Sequence, residues 1–200
     1  MTVTAIVLAA GQGRRFRAEA GADKDKLLAD CTGRDGVTRA VIEQVLANLA
    51  NLPERVARRL LVTSPERADV IRLARAFGCE VLLLQSAGMG DSLAAAVAAS
   101  APADGWLVVL GDMPFIQSST IDQVVEGLEA DRIHVPVQAG QYGHPVAFGR
   151  AFGPGLMALA GDRGARSLFA AGAVREIPVD DPGVLWDVDL PSLLSYTPTS

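Results

Sequence analysis

The sequence is short of cysteine, histidine, aromatic side chains and net positive charge, and most of these shortages remove a class of protein. Its two cysteines, Cys31 and Cys79, stand in separate segments, with no second thiol or histidine at metal-ligand spacing. That argues against a disulfide framework and a zinc site, and a reducing cytoplasm is the expected setting. A net charge of -5 over 200 residues leaves no basic surplus to neutralise a nucleic-acid backbone, so no nucleic-acid partner is expected and any anion must be gripped locally. No apolar run approaches the roughly 20 residues a bilayer crossing requires, and no basic stretch precedes the first apolar run, so neither a membrane span nor a secretory signal is expected. Hydrophobic residues, in contrast, make up 50% of the chain, enough to bury one substantial core. One domain over residues 1–200 is the expectation, with a polar, frayed tail at 196–200.

Short apolar runs rich in β-branched residues alternate with segments of helical period, the pattern of a mostly parallel sheet covered by helices on both faces. The strand candidates are residues 3–9, 60–63, 81–84, 106–110 and 133–137, with 146–148 and 175–179 as shorter additions. Apolar positions at Val41, Ile42, Val45, Leu46 and Leu49 form a helical stripe over 38–49. A second helix is expected over 65–77, with Ser64 as cap and Pro65 in its first turn, and others over 92–99 and 119–129. Residues 17–25 read as a loop.

The first strand runs into Leu8-Ala9-Ala10-Gly11-Gln12-Gly13-Arg14-Arg15. Small residues there let backbone amides approach a ligand at the carboxyl edge of the sheet, where open α/β sheets bind. With Arg14, Arg15, Lys24 and Lys26 nearby, the segment forms a receptor for a triphosphate in an otherwise acidic chain. It is neither familiar phosphate loop: the P-loop's Gly-Lys-Ser/Thr ending is missing, and Phe16 stands where a dinucleotide fingerprint needs a third glycine. A plain glycine-rich turn with solvated bases is the competing explanation.

A second apolar strand ends in Leu110-Gly111-Asp112-Met113-Pro114 and brings one carboxylate to the same edge, placed to hold a hard cation that also grips phosphate oxygens. The alternative, a cap for the helix near Ser118 or Ser119, leaves Asp112 several residues too early. Further on, Asp187-Val188-Asp189 sets two acids on one face of an extended segment; either is a second ligand for that ion, or Asp189 caps a short helix over 191–194. Gly88-Met89-Gly90-Asp91-Ser92 opens a helix whose first amides and the Ser92 hydroxyl can meet a nucleotide, although Asp91 or Ser92 can equally be a cap. In Gly140-Gln141-Tyr142-Gly143-His144-Pro145 the histidine is biased to an extended backbone and is a general base, an acceptor contact or a structural turn residue. Gly161-Asp162-Arg163-Gly164-Ala165-Arg166 is a loop able to close over a substrate, or a surface turn.

Taken in order, Leu8-Ala9-Ala10-Gly11 through Arg15, Lys26-Leu27-Leu28, Gly88 through Leu93, Leu110 through Pro114, Gly143-His144-Pro145, Gly161 through Arg166 and Asp187-Val188-Asp189 resemble the MobA-like nucleotidyltransferase family, in particular its molybdenum cofactor cytidylyltransferase branch. The resemblance implies a Rossmann-like three-layer α/β/α sandwich of the nucleotide-diphospho-sugar transferase type. It further implies magnesium-dependent transfer of CMP from CTP to the molybdenum-bearing molybdopterin cofactor, with release of pyrophosphate. By position, Leu8 through Arg15, Lys26, Gly88 and Ser92 bind the nucleotide, with Arg15, Lys26 and Asp112 catalytic. Asp112 and Asp189 hold magnesium, with Asp187 as the alternative to Asp189. His144, Asp162 and Arg163 meet the acceptor, and a molybdenum hydroxylase apoenzyme is a candidate partner. Alanine at position 10, where related guanylyltransferases carry a second glycine, points to cytidine. Arg17 and Leu190 stand where the family usually has glycine and threonine. They motivate a different class of protein, a carrier that binds the finished nucleotide cofactor without turnover. Another triphosphate or phosphorylated acceptor is the remaining enzymatic alternative.

Overall fold

The computed structural model describes residues 2–50, 52, 56–85, 88–171 and 173–197. Strands β1 (Val3–Leu8), β4 (Arg58–Thr63), β5 (Glu80–Leu83), β6 (Gly105–Leu110), β7 (Arg132–Gln138), β9 (Val146–Gly149) and β10 (Ala173–Pro178) form one sheet in the order β10-β7-β9-β6-β1-β4-β5, with the two-residue β8 (Gln141–Tyr142) pairing with β7. All neighbours are parallel except β9, antiparallel to β6 and β7, and β8. Side chains of β1 and β6 alternate between two cores. Val3, Ala5, Val7, Leu107 and Val109 pack beneath α2 (Val41–Ala50), α3 (Ala68–Ala76) and α5 (Ser118–Val125), while Ile6, Trp106 and Val108 pack against α4 (Met89–Ala99) and α6 (Gly153–Met157). Burial on both faces is why these strands read as unbroken apolar runs. The result is the expected three-layer, Rossmann-like sandwich of nucleotide-diphospho-sugar transferase type, and no helix among the described residues is long and apolar enough to cross a membrane.

Chain order makes the site. From β1 the chain moves outward to β4 and β5, then returns through α4 to β6 on the other side of β1. The crevice between the carboxyl ends of β1 and β6 is therefore the switch point where such sheets take ligands.

Several local expectations are corrected. Residues 17–25 are not all loop: α1 (Arg14–Ala20) forms because Phe16 is buried, and Gly21 stops it at φ 117°. Residues 38–40 are not helical; β2 (Asp30–Thr32) and β3 (Thr38–Ala40) pair as a hairpin, joined across its end by the Thr32 and Thr38 hydroxyls at 3.0 Å. The helix expected from Pro65 begins at Ala68, after a turn in which Arg67 N donates to Ser64 O. The helix α5 stops at Val125, two residues before Gly127 with φ 63°, rather than at 129. Tyr196, at the head of the expected frayed tail, packs against Phe115 in a tilted arrangement and against Trp186 edge-on, at centroid distances of 4.9 and 5.3 Å; residues 198–200 lie outside the described residues.

His134 on β7 is fully buried. Its Nδ1–H donates to Val124 O at 2.9 Å, an orphan carbonyl in the last turn of α5, leaving Nε2 without a partner among the described residues. Burial pulls this imidazole below the ordinary value of 6.5, against the opposing pull of the Val124 bond. The unfolded chain then takes up a proton near pH 6.5 that the folded chain refuses, so this histidine's contribution to stability is complete above that pH and declines below it. Thermal unfolding followed from pH 7.5 to 5 shows a fall in melting temperature that flattens in His134→Leu. An equal slope in both proteins would contradict the assignment.

Candidate active site

The loop after β1 owes its shape to Gly13, which sits in the left-handed region at φ 59°, with the Lys26 stem beside it. Lys26 heads a short 3-10 turn, Lys26–Leu28, capped by Asp25, whose Oδ1 accepts from Leu27 N at 3.0 Å. The side chain of Lys26 is only 9% exposed, and its Nζ lies 2.6 Å from Asp112 Oδ2 and 3.0 Å from Asp189 Oδ1. Arg15 Nη1 reaches the other oxygen of Asp189 at 2.8 Å. Thus four side chains distant in sequence form one chain of contacts, Asp112–Lys26–Asp189–Arg15. The segment bearing Asp189 is fastened where Val188 N donates to Asp112 O at 2.8 Å, with Val188 itself buried in the core.

Burial works to lower the Lys26 ammonium, but the Asp112 and Asp189 carboxylates outweigh it and hold it above the ordinary lysine value. Burial likewise works to raise Asp189, and Lys26 and Arg15 overrule it to hold the acid below its ordinary value. Asp187 joins neither ion pair; partial burial and the neighbouring Asp189 charge hold it above its ordinary value. Of the two acids on that segment, Asp189 is therefore the one that shares a cation with Asp112. Among the described residues no cluster of three or more His, Cys, Asp or Glu can hold a metal alone. Two carboxylates completed by phosphate oxygens suit a hard, oxygen-seeking divalent cation.

Beside this group opens a cleft of about 370 Å³ lined by Leu8, Ala9, Ala10, Gly11, Gln12, Gly13, Arg14, Lys26, Leu27, Gly88, Met89, Ser92, Leu110, Asp112 and Asp162. Every residue expected at the nucleotide lies there except Arg15, which stands at the rim with its side chain 80% exposed. Gly88 is required by close approach: a Cβ would lie 2.2 Å from Gly161, so the start of α4 and the 161–163 loop are packed together, with Gly90 N donating to Gly161 O at 2.7 Å.

A smaller pocket of about 140 Å³ shares Leu8, Met89 and Leu110 with the cleft and is lined also by Val108, Tyr142, His144, Val146, Phe148, Arg166 and Phe169. Of the three residues expected at an acceptor, His144 lines this pocket and Asp162 lines the cleft. Arg163 lines neither, because its main-chain carbonyl is turned toward Gly90 while the residue is exposed. Burial holds His144 below its ordinary value against the opposing Asp112 charge, and its Nδ1 has no partner among the described residues. Arg166 and Tyr142 belong to the glycine-rich segments noted in the sequence but had no role of their own there, and nothing in its local spacing marks Phe169. Another cavity, of about 550 Å³, lies away from this group between the hairpin, α2 and residues 114–119. Its two arginines, Arg34 and Arg39, already pair with Asp181 and Asp35.

The model of the MobA-like NTP transferase domain matches residues 5–177. The chain belongs to that family. The bifunctional protein GlmU of Synechococcus sp. (strain RCC307) is 32% identical over 149 residues, 73% of this chain and 31% of the relative, so the chain spans about a third of the length of that curated relative. The crystal structure of the Rv0371c homolog from Mycobacterium sp. strain JC1 matches with a TM-score of 0.78 at 28% identity, covering 96% of this chain and 92% of that one. Rv0371c of Mycobacterium tuberculosis H37Rv in complex with manganese matches with a TM-score of 0.70 at 27% identity, covering 90% and 89%.

Proposed function

We propose that the chain is a magnesium-dependent nucleotidyltransferase and that it transfers CMP from CTP to a molybdenum-bearing molybdopterin acceptor, releasing pyrophosphate. The observation that carries the transferase reading is the meeting of Lys26 with Asp112 and Asp189 beside a loop of small residues, in a chain of the NTP transferase family. Asp112 and Asp189 are the residues that would hold a divalent ion, which would supply charge neutralisation at the α-phosphate. The manganese complex of Rv0371c accords with a divalent ion in a related fold. Amides of residues 9–13 and Arg14 grip the triphosphate, and Arg15 and Lys26 neutralise charge on the departing pyrophosphate. An acceptor phosphate oxygen forms the new bond to the α-phosphorus as the bond to the pyrophosphate oxygen breaks, and the pyrophosphate leaves with the electron pair.

A molybdopterin-type acceptor rests on the resemblance; the small pocket beside the cleft would offer part of it an apolar and aromatic wall, with Arg166 and His144 as polar contacts. Cytidine rests on Ala10 and the resemblance. Similarity to GlmU favours a second reading, in which the same machinery uses another triphosphate or phosphorylated acceptor.

Pyrophosphate release measured separately with CTP, GTP and ATP, with and without magnesium, and with the molybdopterin-type acceptor, tests this. Magnesium-dependent release confined largely to CTP is expected. Release with a different nucleotide selects the second reading, and tight binding of the finished nucleotide cofactor with no release selects a carrier.

A further inference from the structure

β4 is the parallel neighbour of β1, with Leu8 opposite Val62, so the carboxyl end of β4 delivers residues 64–67 alongside the loop that follows β1. Arg67 emerges from that turn and points inward, its side chain 9% exposed. Its Nη1 donates to Ala9 O at 2.9 Å and its Nη2 to Gly11 O at 2.5 Å, while Nε lies 3.4 Å from Asp25 Oδ2. Thr63 Oγ1 adds a bond to the same Ala9 carbonyl at 3.1 Å. The second oxygen of Asp25 is the one that caps the Lys26–Leu28 turn. One guanidinium thereby fastens two separate parts of the site, the amide loop and the turn that carries Lys26.

The chemistry of the contacts is informative. A largely buried cation costs several kcal/mol of lost hydration and is ordinarily met by a close carboxylate. Here the close partners are two main-chain carbonyls, and the one carboxylate is more distant. A loop that receives an anion with its amides must turn carbonyl oxygens the other way, and left unpaired those oxygens would be costly. The planar, two-armed guanidinium satisfies both at once, which an ammonium cannot do with the same geometry. Arg67 does not line the cleft.

We infer that Arg67 is a positioning residue for the triphosphate site, holding the Ala9 and Gly11 carbonyls outward and, through Asp25, the Lys26 turn in place. This rests on the triphosphate reading of the cleft. Arg67→Met, Arg67→Lys and the wild-type chain are compared by amide hydrogen exchange of the free protein and by steady-state pyrophosphate release. In Arg67→Met the exchange of Ala9 and Leu27 quickens while that of β6 is unchanged. The KM for the triphosphate rises about tenfold or more while the KM for the acceptor moves less than about twofold. Arg67→Lys recovers part of the triphosphate affinity. A triphosphate KM within about twofold of wild type in Arg67→Met, or an equal rise for both substrates, overturns the inference. A wild-type chain that binds no triphosphate removes the proposed function instead. Exchange then decides only whether Arg67 fastens the two segments: quickening confined to Ala9 and Leu27 upholds the fastening without a triphosphate role, and unchanged protection ends both.

Discussion

Asp112→Ala lowers magnesium-dependent pyrophosphate release by about a hundredfold or more, a barrier increase of about 2.7 kcal/mol or above. The carboxylate sits at the switch point, on the residue pair that follows β6, and is part-exposed to the cleft. Without it, on the proposed function, a divalent ion would lose one of two protein ligands, and the remaining acid, Asp189, would have to hold it while still paired with Arg15. The free protein survives the change, because Lys26 keeps its bond to Asp189 and the Asp112 main chain still accepts from Val188. The melting temperature therefore stays near the wild-type value while the magnesium concentration for half-maximal rate rises. Turnover within about tenfold of wild type would mean that Asp112 does not hold the ion.

Lys26→Met has the second large effect and is read by two independent measurements. Release of pyrophosphate falls by about 10²–10³-fold, the usual loss when one preorganised donor to a developing oxyanion is removed. In the absence of nucleotide the same variant binds Mn²⁺ more tightly than the wild-type chain, measured by the loss of the free-ion spin-resonance signal. Both carboxylates that the ammonium neutralises face one another with only Arg15 in attendance once it is gone, and a divalent ion takes that place. Weaker Mn²⁺ binding in the variant would show that Lys26 supports the ion site instead of competing for it. Preserved turnover would shift attention to Lys24, which the structure holds in solvent at 62% side-chain exposure, 3.5 Å from Asp23.

Much of the frame is legible in the sequence. Apolar runs at 3–9 and 106–110 mark strands because both faces of a central parallel strand are buried. The glycine-rich ends mark the sheet edge because backbone must come close to a ligand there. Residues 30–40 were illegible as a hairpin because three-residue strands have too few positions to show an alternation, and the helical stripe that follows hides their end. Arg67 was overlooked because it lies inside a helical-looking stretch, and its partners are main-chain carbonyls of residues 9 and 11, which leave no trace in residue identity.

By itself the sequence determined the layered α/β class and the set of short motifs gathered at one sheet edge, since these depend on local period, turn chemistry and small residues. Tertiary structure decided which of the candidates meet. Asp189 and not Asp187 shares an ammonium with Asp112, Lys26 and not Lys24 is that ammonium, and Arg166 and not Arg163 lines the apolar pocket. Such pairings join residues separated by as many as 163 positions. They follow from strand order and from which side of an extended segment is drawn into the core by Val188, and neither is encoded in the spacing of the charged residues themselves.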